Sequence, residues 1–330
     1  MKMLAMQLKA PKKELVLVEL PIPKPSVNEV LIKVSTCGVC RTDLHIIDDE
    51  LKNVSYPIVP GHQIIGKIIE MGANVRKFKL GQRVGVPWLG NACGSCPYCK
   101  EEHENLCDAA LYTGCNINGG FAEYCVANAN YCFAIPDNYS DIEAAPLLCA
   151  GLIGYRSFRK LPPQAKRIGI YGFGSAAHII TQIANYLGKE IYAYTKENDL
   201  KSQDLALQLG AVWTGGIDQN PEHLLDGVII YAPAGELLPL ALKTVKKGGM
   251  VVCAGIHMTD IPGFPYEILW GERIVCSVAN LTVQDGIMFM NLITNLSLHI
   301  KTQVYTLQET NKALDDLRHG RYTGSNVIQI

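Results

Sequence analysis

The sequence of 330 residues has no long apolar run and almost no net charge, −1 at pH 7. Because a membrane-spanning helix needs roughly 18 or more consecutive apolar residues, no such helix is predicted. A chain this close to neutral has no overall field that would attract nucleic acid or an anionic membrane. Its start mixes lysines with short apolar pairs and lacks the apolar core of a secretory signal. We therefore expect a cytoplasmic protein that binds neither nucleic acid nor membranes.

Cysteine, in contrast, is abundant, with twelve copies in the chain. Without an export signal a disulfide framework is disfavoured, and metal binding is the better interpretation. The spacings described below assign six of the cysteines to metal sites. The other six are predicted to be reduced, most of them as small buried hydrophobic residues. They are Cys37, Cys115, Cys125, Cys132, Cys253 and Cys276.

The secondary-structure pattern changes near residue 150. Before it, short β-branched or aromatic runs punctuated by Gly, Pro and Asn predict a mostly β region. The predicted strands there are Leu15–Leu20, Val30–Val34, Ile64–Glu70 and Phe121–Val126. Beyond it, strands alternate with helices, which predicts a doubly wound parallel sheet. These strands are Ile168–Tyr171, Ile191–Tyr194, Val228–Tyr231 and Met250–Ala254, and the helices are Ser175–Leu187, Lys201–Leu209 and Glu236–Lys247.

The last part of the chain has a mixed character. A strand (Arg273–Ala279), two helices (Asp285–Asn295 and Glu309–Arg318) and a final strand (Asn326–Ile330) are predicted. We assign this tail to the first domain, although the pattern alone does not force that assignment. The expected boundaries are residues 1–152 for the first domain, 153–271 for the parallel-sheet domain and 272–330 for the return.

Four closely spaced cysteines form the strongest local signal. They are Cys93, Cys96, Cys99 and Cys107. Four thiolates in one short loop can close a tetrahedron around a single Zn²⁺, and such a closed shell is typical of structural sites. Free or disulfide-paired cysteines and an iron–sulfur cluster are the alternatives. No further cysteine set suggests electron transfer.

A second group of metal-binding residue types is spread along the chain. Cys40 follows a predicted strand, His62 lies about twenty residues further on, and Cys149 lies near the change of pattern. One imidazole and two thiolates would make a catalytic three-ligand set whose fourth position stays open. Sequence spacing alone does not join these positions, and a lone histidine or cysteine in an apolar stretch is usually packed in the core.

A glycine-rich turn joins a predicted strand to a predicted helix at Tyr171–Ala177. It fits the G-x-G-x-x-G/A pattern of dinucleotide binding. Gly172 permits the tight turn, Gly174 lets the backbone approach a pyrophosphate, and Ala177 occupies the third position. Ser175 and Ala176 open the helix, whose N-terminal N–H groups would bind the pyrophosphate.

The residues after the next strand bear on the choice of cofactor. An acidic residue about twenty positions beyond the glycine turn would hold the ribose 2′-hydroxyl and select NAD. Here Thr195 and Lys196 follow the strand, and a hydroxyl with a cation suits a 2′-phosphate better. Glu197 comes next and could still serve the ribose. NADP is therefore the predicted cofactor, with NAD as the alternative.

Taken together, these residues resemble the zinc-containing alcohol dehydrogenases of the medium-chain dehydrogenase/reductase superfamily, over nearly the whole chain. The segments that carry the resemblance are Gly38–His45 (GVCRTDLH), Pro60–His62 (PGH), the four-cysteine lobe, Gly119–Tyr124 (GGFAEY), the Cys149 segment and the glycine turn. The resemblance implies an α/β fold. In it a GroES-like β-rich catalytic domain carries two zinc ions, and a Rossmann domain binds the nicotinamide cofactor.

The resemblance also implies a role for single residues. Cys40, His62 and Cys149 would bind the catalytic zinc, while Cys37 would be a packing residue despite its CxxC spacing from Cys40. Arg41 would contact the pyrophosphate, and Asp43 would orient the ligand histidine. Thr42 would bond the substrate oxygen, and His45 would be the outer end of a proton relay through the cofactor ribose. Trp88 would line the substrate pocket.

One position departs from the family pattern. Many members have Glu after the ligand histidine, whereas this chain has Gln63. A glutamine removes one negative charge beside the metal and keeps hydrogen-bonding ability. This puts in doubt any mechanism in which that side chain visits the metal.

The resemblance implies an enzyme that transfers a hydride between NAD(P) and a small primary or aromatic alcohol or aldehyde. Zinc would polarise the alcohol or carbonyl oxygen, with Thr42 and His45 relaying the proton. The family also implies a homodimer or homotetramer. A zinc module that binds nucleic acid would need a basic face, but Lys100–Glu104 in the lobe is net acidic. Zinc-free reductases lack the ligands present here, and the complete relay set disfavours a non-catalytic cofactor-binding protein.

Overall fold

The computed structural model describes all 330 residues, which form two compact units. The first unit comprises residues 1–149 and 280–330, and the second comprises residues 150–279. In neither unit does any helix combine the length and hydrophobicity that crossing a membrane requires.

The first unit begins with short, mostly antiparallel strands. They are β1 (Lys2–Gln7), β2 (Val16–Pro21), β3 (Glu29–Val39), β4 (Gln63–Met71), β5 (Arg83–Val86), β6 (Leu89–Asn91), β7 (Leu111–Tyr112), β8 (Tyr124–Asn128) and β9 (Phe133–Ala134). Three short helices lie between them, namely α1 (Arg41–Ile47), α2 (Pro97–Lys100) and α3 (Asp141–Pro146). Strand β3 is central because it pairs antiparallel with both β4 and β8. Its Ile32 packs with Ile64 and Phe121 in a core where all three are fully buried.

The second unit alternates helices and strands. The helices are α4 (Leu152–Lys160), α5 (Ser175–Tyr186), α6 (Leu200–Gln208) and α7 (Leu237–Thr244), and the strands are β10 (Arg167–Tyr171), β11 (Glu190–Thr195), β12 (Trp213–Gly216), β13 (Leu225–Ile230), β14 (Val245–Cys253) and β15 (Ile274–Ser277). The strand order is β12-β11-β10-β13-β14-β15, with all pairs parallel. The predicted doubly wound parallel sheet is confirmed. Its order reverses between β10 and β13, the place where such folds bind nucleotides.

The end of the chain rejoins the first unit. It contains α8 (Val283–Ile293), β16 (Thr302–Thr306), α9 (Thr310–Arg318) and β17 (Ser325–Gln329). Strand β17 pairs antiparallel with β3, so that Ile328 lies opposite Cys37. The larger sheet of this unit therefore needs both ends of the chain, in the order β16-β17-β3-β4-β5-β9 with β8 also on β3.

Two sequence predictions about these elements are wrong. The helix predicted to reach Lys247 ends at Thr244, because the buried, β-branched Val245 is extended and pairs with Leu225 of β13. The strand predicted from Phe121 starts only at Tyr124. Helix α1 and strand β12 were not predicted. Each is shorter than the window over which periodicity can be read.

Candidate active site and metal centres

The structure brings Cys40, His62 and Cys149 together. Their ligand atoms all lie within 4.8 Å of one another. The Cys40 Sγ is 3.1 Å from Nε2 of His62 and 3.9 Å from Sγ of Cys149. The His62 side chain is fully buried.

Strand register explains how two of these residues meet. In the antiparallel pair of β3 and β4, Gly38 lies opposite Gln63. Cys40 follows Gly38 just beyond one strand and His62 directly precedes the other, so the pairing places them side by side. Cys149 lies in a π-helical turn, Leu147–Gly151. Because the preceding Pro146 has no N–H, the α-helical ladder is interrupted where this wider turn begins.

The three side chains fit a zinc ion. Two sulfurs bound to one tetrahedral Zn²⁺ at about 2.3 Å lie about 3.8 Å apart, close to the 3.9 Å between Cys40 and Cys149. The hydrogen bond to Cys40 raises the pKa of Cys149 well above its usual range, and burial raises it further. The same hydrogen bond lowers the pKa of Cys40. Ionisation of one thiol thus opposes ionisation of the other, and a positive charge between them would favour both thiolates.

Asp43 holds both the ligand histidine and the helix that carries the site. One carboxylate oxygen of Asp43 lies 3.4 Å from Nδ1 of His62, and both side chains are fully buried. That oxygen also accepts the N–H of Gly61 at 3.2 Å, while the other accepts the N–H of Cys40 at 2.9 Å. The rings of Trp88 and His62 pack in a T-shaped arrangement with centroids 5.0 Å apart. Nε2 of His62 is thereby directed towards the cysteines.

The predicted relay residues lie on α1. Thr42 is buried, and its backbone N–H donates to the Cys40 sulfur at 3.3 Å. His45 lies one turn later, and its Nδ1 contacts the carboxylate of Glu50. Arg41 is exposed. Sequence reasoning missed Glu50, for which the only signal was an acidic residue shortly after a helix that ends near a histidine.

The four-cysteine lobe also assembles. The sulfur atoms of its cysteines all lie within 4.8 Å of one another, and those of Cys93 and Cys99 are 3.9 Å apart. Backbone N–H groups of Ser95 and Cys96 donate to the Cys93 sulfur at 3.4 and 3.3 Å. These hydrogen bonds, with that of Ser95 first, lower the pKa of Cys93 to about 5. The donor set fits a closed, structural zinc site.

The glycine turn joins β10 to α5. Gly172 has a φ of +89°, and a Cβ there would lie 2.9 Å from Cβ of Ala232. Gly174 is the N-cap of α5, and the space around its missing side chain is open. The N–H groups of Ser175, Ala176 and Ala177 therefore begin the helix without an obstructing side chain, as anion binding requires.

The two residues predicted to select the cofactor differ in how far they are exposed to a ligand. Thr195 is buried, and its hydroxyl donates to the Lys196 carbonyl at 3.0 Å while accepting from Gln203 at 3.0 Å. Lys196 is exposed at the end of β11. A phosphate at this position would therefore meet the ammonium group of Lys196, with Thr195 supporting the turn.

Comparisons with known proteins identify alcohol dehydrogenases as relatives of this chain. The alcohol dehydrogenase GroES-like domain family matches residues 26–137. A probable alcohol dehydrogenase of Mycobacterium tuberculosis is 41% identical over 94% of this chain and 91% of its own length.

Three solved structures share the fold. A cinnamyl alcohol dehydrogenase from Sorghum bicolor has a TM-score of 0.90 at 26% identity, covering 100% of this chain and 98% of its own. Acetophenone reductase from Geotrichum candidum, in complex with NAD, has a TM-score of 0.89 at 26% identity, with coverages of 100% and 97%. CAD from Helicobacter pylori, complexed with NADP(H), has a TM-score of 0.88 at 25% identity, with coverages of 99% and 98%.

Proposed function

This chain belongs to the medium-chain dehydrogenase/reductase superfamily as an NAD(P)-dependent alcohol dehydrogenase, and from that premise we propose a zinc-dependent, NADP-linked enzyme for small primary or aromatic alcohols and aldehydes. The family resemblance inferred from the motifs is thereby confirmed, as is the GroES-like domain. The observation that carries the proposal is the convergence of Cys40, His62 and Cys149 into an open three-donor set.

The residues of the site divide the chemistry between them. Zn²⁺ held by Cys40, His62 and Cys149 would act as a Lewis acid on the alcohol or carbonyl oxygen. The nicotinamide cofactor would supply the hydride acceptor or donor, and its ribose would link Thr42 to His45. The hydroxyl of Thr42 accepts the proton of the alcohol, and His45 passes a proton outward. Asp43 keeps His62 in the orientation that the site needs.

A second zinc ion would be bound by Cys93, Cys96, Cys99 and Cys107 with a structural role. The lobe offers four sulfur donors and hence no open position for a substrate. Each chain would therefore hold two zinc ions.

For the cofactor we propose NADP, with NAD as the alternative. Lys196 presents a cation at the end of β11, the position where the ribose of a dinucleotide is recognised. The related structures include one complex with NADP(H) and one with NAD. Arg41 on α1 is exposed, and we propose from the family resemblance that its guanidinium binds the pyrophosphate.

A homodimer, or a homotetramer built from it, is the proposed assembly. Strand β15 ends the parallel sheet, and its Ile274 and Val275 are 48% and 37% exposed. An apolar, unpaired edge strand is suited to pairing with another copy. Sedimentation of the purified protein measures the assembly directly.

The proposal is tested by zinc analysis and turnover of the purified protein. We expect two zinc ions per chain, and oxidation of NADPH in preference to NADH when short or aromatic aldehydes are added. One zinc ion with no turnover would refute the catalytic centre and leave only the lobe. In the active enzyme Thr42→Ala should slow the chemical step by about 10²-fold or more, whereas Thr42→Ser should be mild. Equal rates for the two variants would remove the hydroxyl from the relay.

A further inference from the structure

The segment Gly119–Tyr124 carries part of the family resemblance but has no role in the chemistry proposed above. Its first three residues donate their backbone N–H groups to the three carbonyls that precede the ligand His62. These hydrogen bonds join Gly119 to Val59 at 2.6 Å, Phe121 to Pro60 at 3.0 Å and Gly120 to Gly61 at 2.9 Å. The segment therefore lies directly against the backbone that leads into the histidine.

Gly119 approaches that backbone so closely that a side chain does not fit. A Cβ atom on Gly119 would lie 2.1 Å from the carbonyl oxygen of Gly61 and 2.7 Å from that of Pro60. Both are backbone atoms, which cannot rotate away as the end of a flexible side chain can. With an alanine at this position, the Gly61 carbonyl would have to retreat from 2.1 Å to at least 3.0 Å.

Gly61 cannot retreat without disturbing its neighbours in the site. Its N–H donates at 3.2 Å to Asp43, whose carboxylate also lies beside His62. A Cβ on Gly61 would lie 2.7 Å from the Phe121 ring, which is fully buried. Because Gly61 directly precedes His62, a movement of its backbone would be passed on to the ligand histidine.

We propose that Gly119 is a positioning residue of the three-donor set formed by Cys40, His62 and Cys149. The absence of a side chain on Gly119 lets the backbone before His62 come close enough to put that ligand in place. A site of this kind needs its ligands held within about 0.5 Å of the productive geometry. This inference rests on the proposed function, because it concerns the metal centre to which catalysis is assigned there.

The neighbouring Gly120 offers a matched control. A Cβ on Gly120 would lie 2.4 Å from Cγ1 of Ile64 and 3.1 Å from Sγ of Cys37. These are side-chain atoms, so Gly120→Ala should strain the core while leaving the backbone before His62 in place. Neither Gly119 nor Gly120 has a φ in the left-handed region, so alanine meets no backbone restriction at either position.

The first measurement is a chelator competition for zinc on the two purified variants. We expect Gly119→Ala to lower the zinc affinity of the three-donor set by about 10- to 100-fold, while the zinc of the four-cysteine lobe is retained as an internal reference. Gly120→Ala should keep both affinities, although its melting temperature also falls. Equal affinities of the three-donor set in the two variants overturn the proposal.

A second measurement does not depend on the metal. Hydrogen exchange of the Gly61 amide reports its hydrogen bond to Asp43. We expect this amide to lose protection in Gly119→Ala and to keep it in Gly120→Ala. Unchanged protection in Gly119→Ala overturns the positioning role. If the unaltered protein binds zinc only in the lobe, the proposed function fails, and the exchange at Gly61 alone decides whether Gly119 holds this backbone in place.

A relaxed variant keeps the test decisive if Gly119→Ala does not fold. The Pro60 ring restricts φ in the stretch that the added Cβ would push, so Pro60→Ala gives this backbone more freedom to retreat. The combination of Gly119→Ala with Pro60→Ala should therefore fold with the lobe zinc in place. Its three-donor set should bind zinc about 10- to 100-fold more weakly than in Pro60→Ala alone. Equal affinities in these two proteins overturn the proposal.

Discussion

The two cysteine clusters of the first unit are built in opposite ways. The four ligands of the lobe come from one short segment, Cys93–Cys107, and Cys93 is exposed. The three ligands of the other cluster come from a strand end, a strand start and a π-helical turn, and His62 is fully buried. The second cluster is therefore assembled by the surrounding sheet, whereas the lobe is expected to depend on the zinc ion that we propose for it.

Because the two clusters are built differently, we expect a metal in the lobe to contribute mainly to folding and a metal in the second cluster to contribute mainly to catalysis. No residue of helix α2 in the lobe is buried, so the zinc ion that we propose there would supply much of the local folding free energy. In the second cluster Asp43 already holds His62 and Cys40 through contacts that need no metal. A metal there adds a positive charge beside an open position, which is of use for chemistry more than for folding.

Cys40, His62 and Cys149 form the cluster with three ligands, here called the open cluster. Loss of a ligand from the open cluster should have the largest effect on activity. Cys40→Ala is expected to abolish turnover and to lower the zinc content by one ion per chain, while the fold and cofactor binding persist. The matched control is Cys37→Ala, which removes a buried thiol three residues away that lies outside the ligand set. The zinc content per chain and the rate of alcohol oxidation are measured for both variants. Full activity in Cys40→Ala would remove it from the metal site.

Loss of a ligand from the lobe should act chiefly on stability. Cys107→Ala is expected to release the other zinc ion and to lower the melting temperature by about 10 °C. Because Glu104 in the lobe accepts the Val283 N–H at 2.6 Å, the start of α8 should loosen as well. Hydrogen exchange at the first turn of α8 reports this directly. A variant that keeps its melting temperature but loses all activity would mean that the two clusters have been assigned the wrong roles.

Asp43→Asn should affect the open cluster more moderately. Loss of the carboxylate beside the ligand histidine typically weakens metal binding or activity by about 10- to 100-fold. A chelator competition on the purified variant measures the change in zinc affinity. The same substitution at Asp285 is the control, because Asp285 also caps a helix through its carboxylate but lies outside both clusters. If both variants lose zinc equally, the effect of Asp43 comes from capping alone.

The same contrast explains how much could be predicted from the sequence. The lobe and the glycine turn could be predicted from the sequence because each is a short pattern whose spacing is set by local geometry. The grouping of Cys40 with His62 and Cys149 was not, since it depends on the β3–β4 register and on a π-helical turn. Only resemblance to a family supplied it.

Helix α1 shows the limit in another way. It has seven residues, and its N-cap is Cys40, whose sulfur accepts a backbone N–H in place of the usual hydroxyl or carboxylate. Neither its length nor its cap predicts a helix. The contact between His45 and Glu50 follows from the positive φ of Asp49, which the sequence does not reveal.

The smallest of the expected effects concerns the charge balance of the open cluster. Gln63 follows His62, is 2% exposed, and its Nε2 has no hydrogen-bond partner. Gln63→Glu would bury a carboxylate next to His62 in the chain, at a cost of about 1–3 kcal/mol that a bound cation should partly offset. We therefore expect a smaller loss of melting temperature in the zinc-loaded protein than in the Cys40→Ala background, measured as a double-mutant cycle. Gln7→Glu, at a buried glutamine outside both clusters, should cost the same in both backgrounds. Equal losses for Gln63→Glu would show that no positive charge resides beside it, and the open cluster would then hold no bound cation.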